Sequence, residues 1–224
     1  MYSSNPVKSE DLVTFVLPLA RHAGIIAIVA GALFAVGQLL AFVLLDRADP
    51  AGTLAGWPYR LSAVIVLVGF AGLAIAAVAL YERQAAAAGR LGAIGLCAAL
   101  VGTSFLGGDY WFETFAVPWY AVVLPEILTI PGADWLAVGG TTSYVLFSLG
   151  WLLFAAVSFR AKVFPRLVCI GLMLGAVVGF FAALPPYGAA LGVAVLWLGI
   201  TVFRMRRPTP TSPPGLDSIH TTSS

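Results

Sequence analysis

The sequence predicts an all-α, polytopic membrane protein with six transmembrane helices and both termini cytoplasmic, and three observations carry that prediction. Six stretches of roughly 17 to 25 residues contain no Asp, Glu, Lys, Arg or His. At ~1.5 Å rise per residue, about 20 apolar residues cross a hydrocarbon layer of ~30 Å. The composition agrees: 60% of the 224 residues are hydrophobic, 10% are charged and the mean hydropathy is +0.97, whereas a soluble domain carries about 25% charged residues. The third observation is the placing of the basic residues. With six spans, Lys8, Arg21, Arg83, Arg90, Arg160, Lys162, Arg166, Arg204, Arg206 and Arg207 share one side, and only Arg47 and Arg60 face the other. By the positive-inside rule the first side is cytoplasmic.

Taken in order, residues 1–22 form a cytoplasmic or interfacial segment in which Ser9, Glu10 and Asp11 mark a helix start ahead of Pro18, since a Ser followed by acids satisfies free N–H groups at a helix N-terminus. The apolar run that follows begins too late, and runs too long, for a signal-peptide core of roughly 7 to 15 residues. The transmembrane domain occupies 23–207, with spans at 23–45, 61–81, 91–108, 135–159, 167–184 and 187–203. Pro185 and Pro186 leave so short a link that the last two spans must be antiparallel neighbours. Residues 208–224, rich in Pro, Ser and Thr, have little apolar surface to bury and are expected to be a disordered tail.

Lipid tails solvate Leu as well as another helix does, so association must come from close packing of small residues and a few interhelical hydrogen bonds. Gly171, Gly175 and Gly179 line one face of the fifth span as a packing seam, either within the bundle or between two copies of the chain; Gly72 with Ala76 and Gly95 with Ala99 repeat the spacing. Polar side chains at depth are few: Gln38, Thr103, Ser104, Ser143, Tyr144 and Ser148. The amide of Gln38 has the most donors and acceptors to satisfy.

Distinctive chemistry concentrates between the third and fourth spans. Asp109 and Glu113 are four residues apart and share a helix face, where like charges repel unless a cation sits nearby. Arg60, at the same mouth, is the expected partner. Around them stand Trp57, Tyr59, Tyr110, Trp111, Trp119, Tyr120, Trp135 and Tyr187, which serve either as interface anchors or as walls of an outward-facing vestibule for a cation or an amphiphile. Asp109, Glu113, Arg60, Trp111 and Gln38 are the candidate ligand-binding residues. Pro118, Pro125 and Pro131 predict a broken helix over 117–130, as a lid, a re-entrant element or an interfacial loop.

The chain offers no catalytic constellation, so it is read as non-enzymatic, with no cofactor and no metal. Its histidines are His22 and His220, neither in a span, which leaves no axial ligand for a transmembrane haem and no base for a serine protease. Gly107-Gly108-Asp109 has no second Asp at depth, and Cys97 and Cys169 form no Cys-x-x-Cys. A net charge of +2 does not point to nucleic acid. The partners implied are membrane lipids and a membrane protein or a second copy.

Asp49-Pro50-Ala51-Gly52, Tyr81-Glu82-Arg83-Gln84 ahead of Gly89-Arg90-Leu91-Gly92, and Tyr110-Trp111-Phe112-Glu113 running into Val117-Pro118 are short motifs along most of the chain. In these it resembles uncharacterised six-span integral membrane proteins of bacteria. The resemblance implies the same fold and a multi-pass place in the bacterial plasma membrane, and transfers no activity. The expected role is therefore an accessory or scaffold protein; the alternative is a binding or transport protein for a small solute, cation or lipid. A cavity lined by Gln38, Ser104 and Ser148 would favour transport, and a solid small-residue core the scaffold.

Overall fold

The computed structural model describes residues 9–46, 48–124, 126, 134–182 and 186–205, and among these every regular element is helical. The expected tail, Pro125, Pro131 and Pro185 lie outside the described residues. Helix α1 spans Ser9–Leu44, α2 Pro50–Ala55, α3 Trp57–Val123, α4 Asp134–Ala161, α5 Arg166–Val178 and α6 Ala189–Arg204, with a 3-10 turn at Gly179–Phe181 after α5. Three of the helices are long and apolar enough to cross a membrane: α1 over Leu19–Leu44, α3, and α4 over Ala137–Ala161.

Several boundaries differ from expectation. Helix α1 runs unbroken from Ser9 through Pro18, so the expected interfacial segment is the first part of one 36-residue helix. Helix α3 contains both the second and third expected spans, and its 67 residues reverse at Gly89, whose φ of 56° and ψ of −144° suit a residue without Cβ. The two legs run antiparallel: a Cβ on Gly92 would lie 3.1 Å from the Tyr81 ring, and Phe70 stacks on Tyr110 at 5.0 Å. The second leg does not break at Pro118. A buried proline removes one ladder bond, from its missing N–H to the Thr114 carbonyl, yet packing carries the helix on to Val123. It stops at Leu124, the residue before Pro125, where a following proline disfavours helical backbone. In the fifth span α5 has 13 residues, about 20 Å of helix, and a 3-10 turn carries it on to Phe181; residues 183 and 184 lie outside the described residues.

Short α2 has a sequence cause. Asp49 caps it, accepting the Gly52 N–H at 2.9 Å, and Pro50 occupies the first helical position, where its missing N–H costs nothing.

Treating the α3 legs separately, six antiparallel legs close into a ring: α1 packs on the first leg of α3 and on α6, the second leg of α3 packs on α4, and α5 joins α4 to α6. Backbones touch at the crossings. A Cβ on Gly31 would lie 2.5 Å from the Gly192 carbonyl oxygen, and one on Gly69 2.9 Å from the Phe34 Cα. The predicted seam on α5 is filled from within the chain: Gly171 faces Trp197, Gly175 faces Ala190 and Leu191, and Gly179 faces Phe147. That seam is thus occupied, and the same contacts make α5 and α6 antiparallel neighbours as expected. Phe34, Phe70, Phe147, Trp151, Leu172 and Leu191 fill the centre of the ring, with Phe34 and Phe70 edge to face at 4.8 Å. Outside, large apolar side chains such as Val43, Ile94, Leu167 and Leu174 are exposed, a surface that hydrocarbon solvates and water does not.

Candidate functional site

Arg60, Gln38, Asp109 and Glu113 come to one end of the ring because α1 ends there, α3 begins there and its second leg returns there. Gln38 is fully buried and spans the ring centre. Its Nε2 donates to the Tyr110 hydroxyl at 2.7 Å, and that hydroxyl donates to the Ala182 carbonyl at 3.1 Å. One hydroxyl thereby ties α1, α3 and the turn after α5. Gly188 makes room for the amide, since a Cβ there would lie 2.7 Å from Gln38 Cδ. The Oε1 of Gln38 has no hydrogen-bond partner.

Asp109 and Glu113 are each partly buried and stand about one helical turn apart on α3. Asp109 turns toward α4 and lines a cleft of about 440 Å³ with Phe105, Phe112, Gly139, Gly140 and Ser143. Gly108 and Gly139 face open space there, because a Cβ on either would meet nothing within 4 Å. The Ser143 hydroxyl is already used, donating to the Gly139 carbonyl at 3.1 Å. The cleft therefore has one full charge and walls that are otherwise mainly apolar or aromatic.

The expected pairing of Arg60 with Asp109 or Glu113 is not formed. Arg60 is exposed and lies in a second furrow, also about 440 Å³, against Thr114, Phe115, Pro118, Trp119 and Val122. At ~100° per residue, Pro118 is about 180° round the helix from Asp109, so Arg60 meets the opposite face. No ion pair links either carboxylate to a basic side chain among the described residues. Trp111 is likewise turned away: it is exposed, stacks against Phe115 at 5.6 Å and does not line the Asp109 cleft.

The remaining polar residues do not converge. Ser148 donates to the Ala176 carbonyl of α5 at 2.7 Å, Ser104 is exposed, and Thr103 accepts the Trp151 indole N–H at 3.0 Å while donating to the Ala99 carbonyl. Gln38, Ser104 and Ser148 thus line no common cavity. The sequence does not mark buried Ser62, Thr114 and Ser158, whose hydroxyls each donate to a carbonyl of their own helix, and it misses the burial of two larger polar residues. Tyr110 counts there as an interface aromatic, although it continues the buried i, i+4 series of Gly102, Leu106, Thr114 and Pro118. Gln84, at the opposite end, is buried with both amide atoms unpartnered, although the sequence marks it only as the last residue of the Tyr81-Glu82-Arg83-Gln84 motif and not as a buried group. No group of three or more His, Cys, Asp or Glu suited to a metal occurs among the described residues.

No protein-family model, curated protein or solved structure matches the chain.

Proposed function

We propose that the chain is a six-span integral membrane protein of the plasma membrane with both termini cytoplasmic, and that it binds a cationic, partly apolar molecule in the Asp109 cleft. The observation that carries the binding reading is the Asp109 carboxylate, half withdrawn from solvent between aromatic walls with no basic side chain paired to it. A carboxylate in that setting attracts a cation strongly, because little water competes. Phe105 and Phe112 offer faces to an ammonium or phosphonium group, and the open ground over Gly108 and Gly139 admits its apolar body.

The filled ring centre favours a rigid binding or accessory protein over a carrier. Helices in backbone contact at Gly31, Gly69 and Gly192 have no slack for rocking one half against the other. The cation-binding reading is tested with tetraphenylphosphonium and protein in lipid nanodiscs. Asp109→Asn is expected to weaken binding by about tenfold, the low end of what losing one half of a desolvated charge pair does to affinity. Equal binding by the variant refutes the site.

Orientation is a separate expectation. Basic residues Arg21, Arg83, Arg90, Arg160, Lys162, Arg166 and Arg204 lie at the end opposite Arg60, the asymmetry that cytoplasmic loops carry. With Cys97 and Cys169 replaced, a cysteine at exposed Ala48 is expected to react with an impermeant maleimide in intact cells, and one at exposed Ala86 only after permeabilisation. The reverse result would invert the protein.

A further inference from the structure

Arg60 has a different setting from the carboxylates. Its guanidinium is permanently charged and carries five N–H donors. Among the described residues it has no ion pair and no side-chain hydrogen bond. The furrow around it supplies no carboxylate for this charge: its other polar side chain, Thr114, is a neutral hydroxyl that donates to the Tyr110 carbonyl at 2.6 Å, and Val64, Phe115, Pro118, Trp119 and Val122 offer no acceptor. A positive charge thus stands alone on a largely apolar track.

Depth identifies what meets it. Trp57 is 74% exposed and Trp119 58% exposed at the same end of the bundle, and exposed tryptophans mark the level of lipid headgroups. From Arg60 along the first leg of α3, Val64, Val68 and Ile75 form an exposed apolar strip, long enough to bed an acyl chain beside Phe115. We infer that the Arg60 furrow is a seat for an anionic phospholipid, its phosphate on the guanidinium and one acyl chain along Val64 and Val68. The planar fork of arginine matches two phosphate oxygens at once. An anionic lipid fits better than a zwitterionic one, because no carboxylate lines this furrow to hold a choline or ethanolamine group; Asp109 and Glu113 are on the other face of the helix. This inference does not depend on the Asp109 cleft.

The test is lipid retention. Protein reconstituted in equal phosphatidylglycerol and phosphatidylcholine is re-extracted in mild detergent, and the lipids that stay bound are counted by native mass spectrometry. The wild type is expected to keep phosphatidylglycerol in preference, and Arg60→Gln to lose that preference roughly fivefold, the worth of one basic residue against anionic lipid. Arg60→Lys is expected to retain part of it, since charge persists without the fork. Asp109→Asn is expected to retain all of it, which separates this site from the cation cleft. Arg60 is exposed and unbonded, so unchanged helicity of the Arg60→Gln variant is expected and confirms that the loss is local. Equal retention of both lipids by the wild type, full retention by Arg60→Gln, or displacement by inorganic phosphate alone each overturns the assignment.

Discussion

Replacing Gly102 and Gly150 together by alanine is expected to lower the thermal unfolding midpoint more than any other pair of one-carbon changes in the molecule. Each of these glycines lies against the backbone of the other helix at the crossing of α3 and α4. A Cβ on Gly102 would run into the Leu146 carbonyl oxygen and stand 2.6 Å from the Phe147 Cα, and one on Gly150 would run into the Ala98 carbonyl and stand 3.0 Å from the Ala99 Cα. The obstacles are backbone atoms, so no rotamer change relieves them and the helices must separate. Two terms oppose each other. Alanine gains about 1 kcal/mol over glycine in helix propensity, while overpacking costs about 1–3 kcal/mol at each site. The steric term wins because separation also loosens the Trp151–Thr103 bond and the Phe147 and Phe154 contacts at the same crossing. The net loss expected for the pair is on the order of 2–4 kcal/mol, a large part of a domain's stability.

The control is Gly139→Ala in the same helix, where a Cβ would meet nothing within 4 Å. It is expected to change stability by no more than about 0.5 kcal/mol. Thermal unfolding in micelles, followed by near-ultraviolet circular dichroism, reads both. A double variant that melts with the wild type would mean that α3 and α4 do not cross at these residues.

How much of this was legible in the sequence depends on which distance a feature spans. The apolar stretches are local, and most of each falls within a helix. Helix ends are decided by context: Pro118 reads as a break, but with its ring buried the flanking turns stay packed and the helix survives it. Leu124 is exposed, so packing does not oppose the bias against helical backbone that Pro125 imposes on the residue before it, and α3 ends there. The brevity of α5 follows from tightening into 3-10 at Gly179, which apolar composition does not encode.

The site was legible by residue type and illegible by register. Gln38 plainly needs a partner, and it has one. That the partner is Tyr110, 72 residues on, depends on where the α3 hairpin turns, and the turn rests on the single residue Gly89. The same register decides Arg60. Proximity along the membrane normal put it level with Asp109 and Glu113, but its helical leg lies against the Thr114–Pro118 face instead. Charges that look paired in a list of residues are separated by about half a turn of helix.

Tyr110→Phe is expected to destabilise the protein by about 1–2 kcal/mol, at the upper end for hydrogen bonds between membrane helices. The loss exceeds that of one ordinary bond because the hydroxyl serves two groups. Without it the Gln38 Nε2 loses its acceptor and the Ala182 carbonyl its donor. Since Gln38 Oε1 is already unpartnered, the whole amide would then be buried unsatisfied, each such group costing about 1–3 kcal/mol. Gln38→Met should behave oppositely. Methionine matches the shape beside Gly188 and removes the orphan oxygen, while Tyr110 can still donate to Ala182, so a change within about 0.5 kcal/mol is expected. Combining the two should recover part of the Tyr110→Phe loss, because replacing both partners by apolar groups avoids the unpaired amide. The double-mutant cycle in unfolding free energy is therefore expected to show a favourable coupling of about 1 kcal/mol. Strict additivity, with Gln38→Met as costly as Tyr110→Phe, would show that the amide is held by something other than the tyrosine and that the bridge across the ring does not fasten α1 to α3.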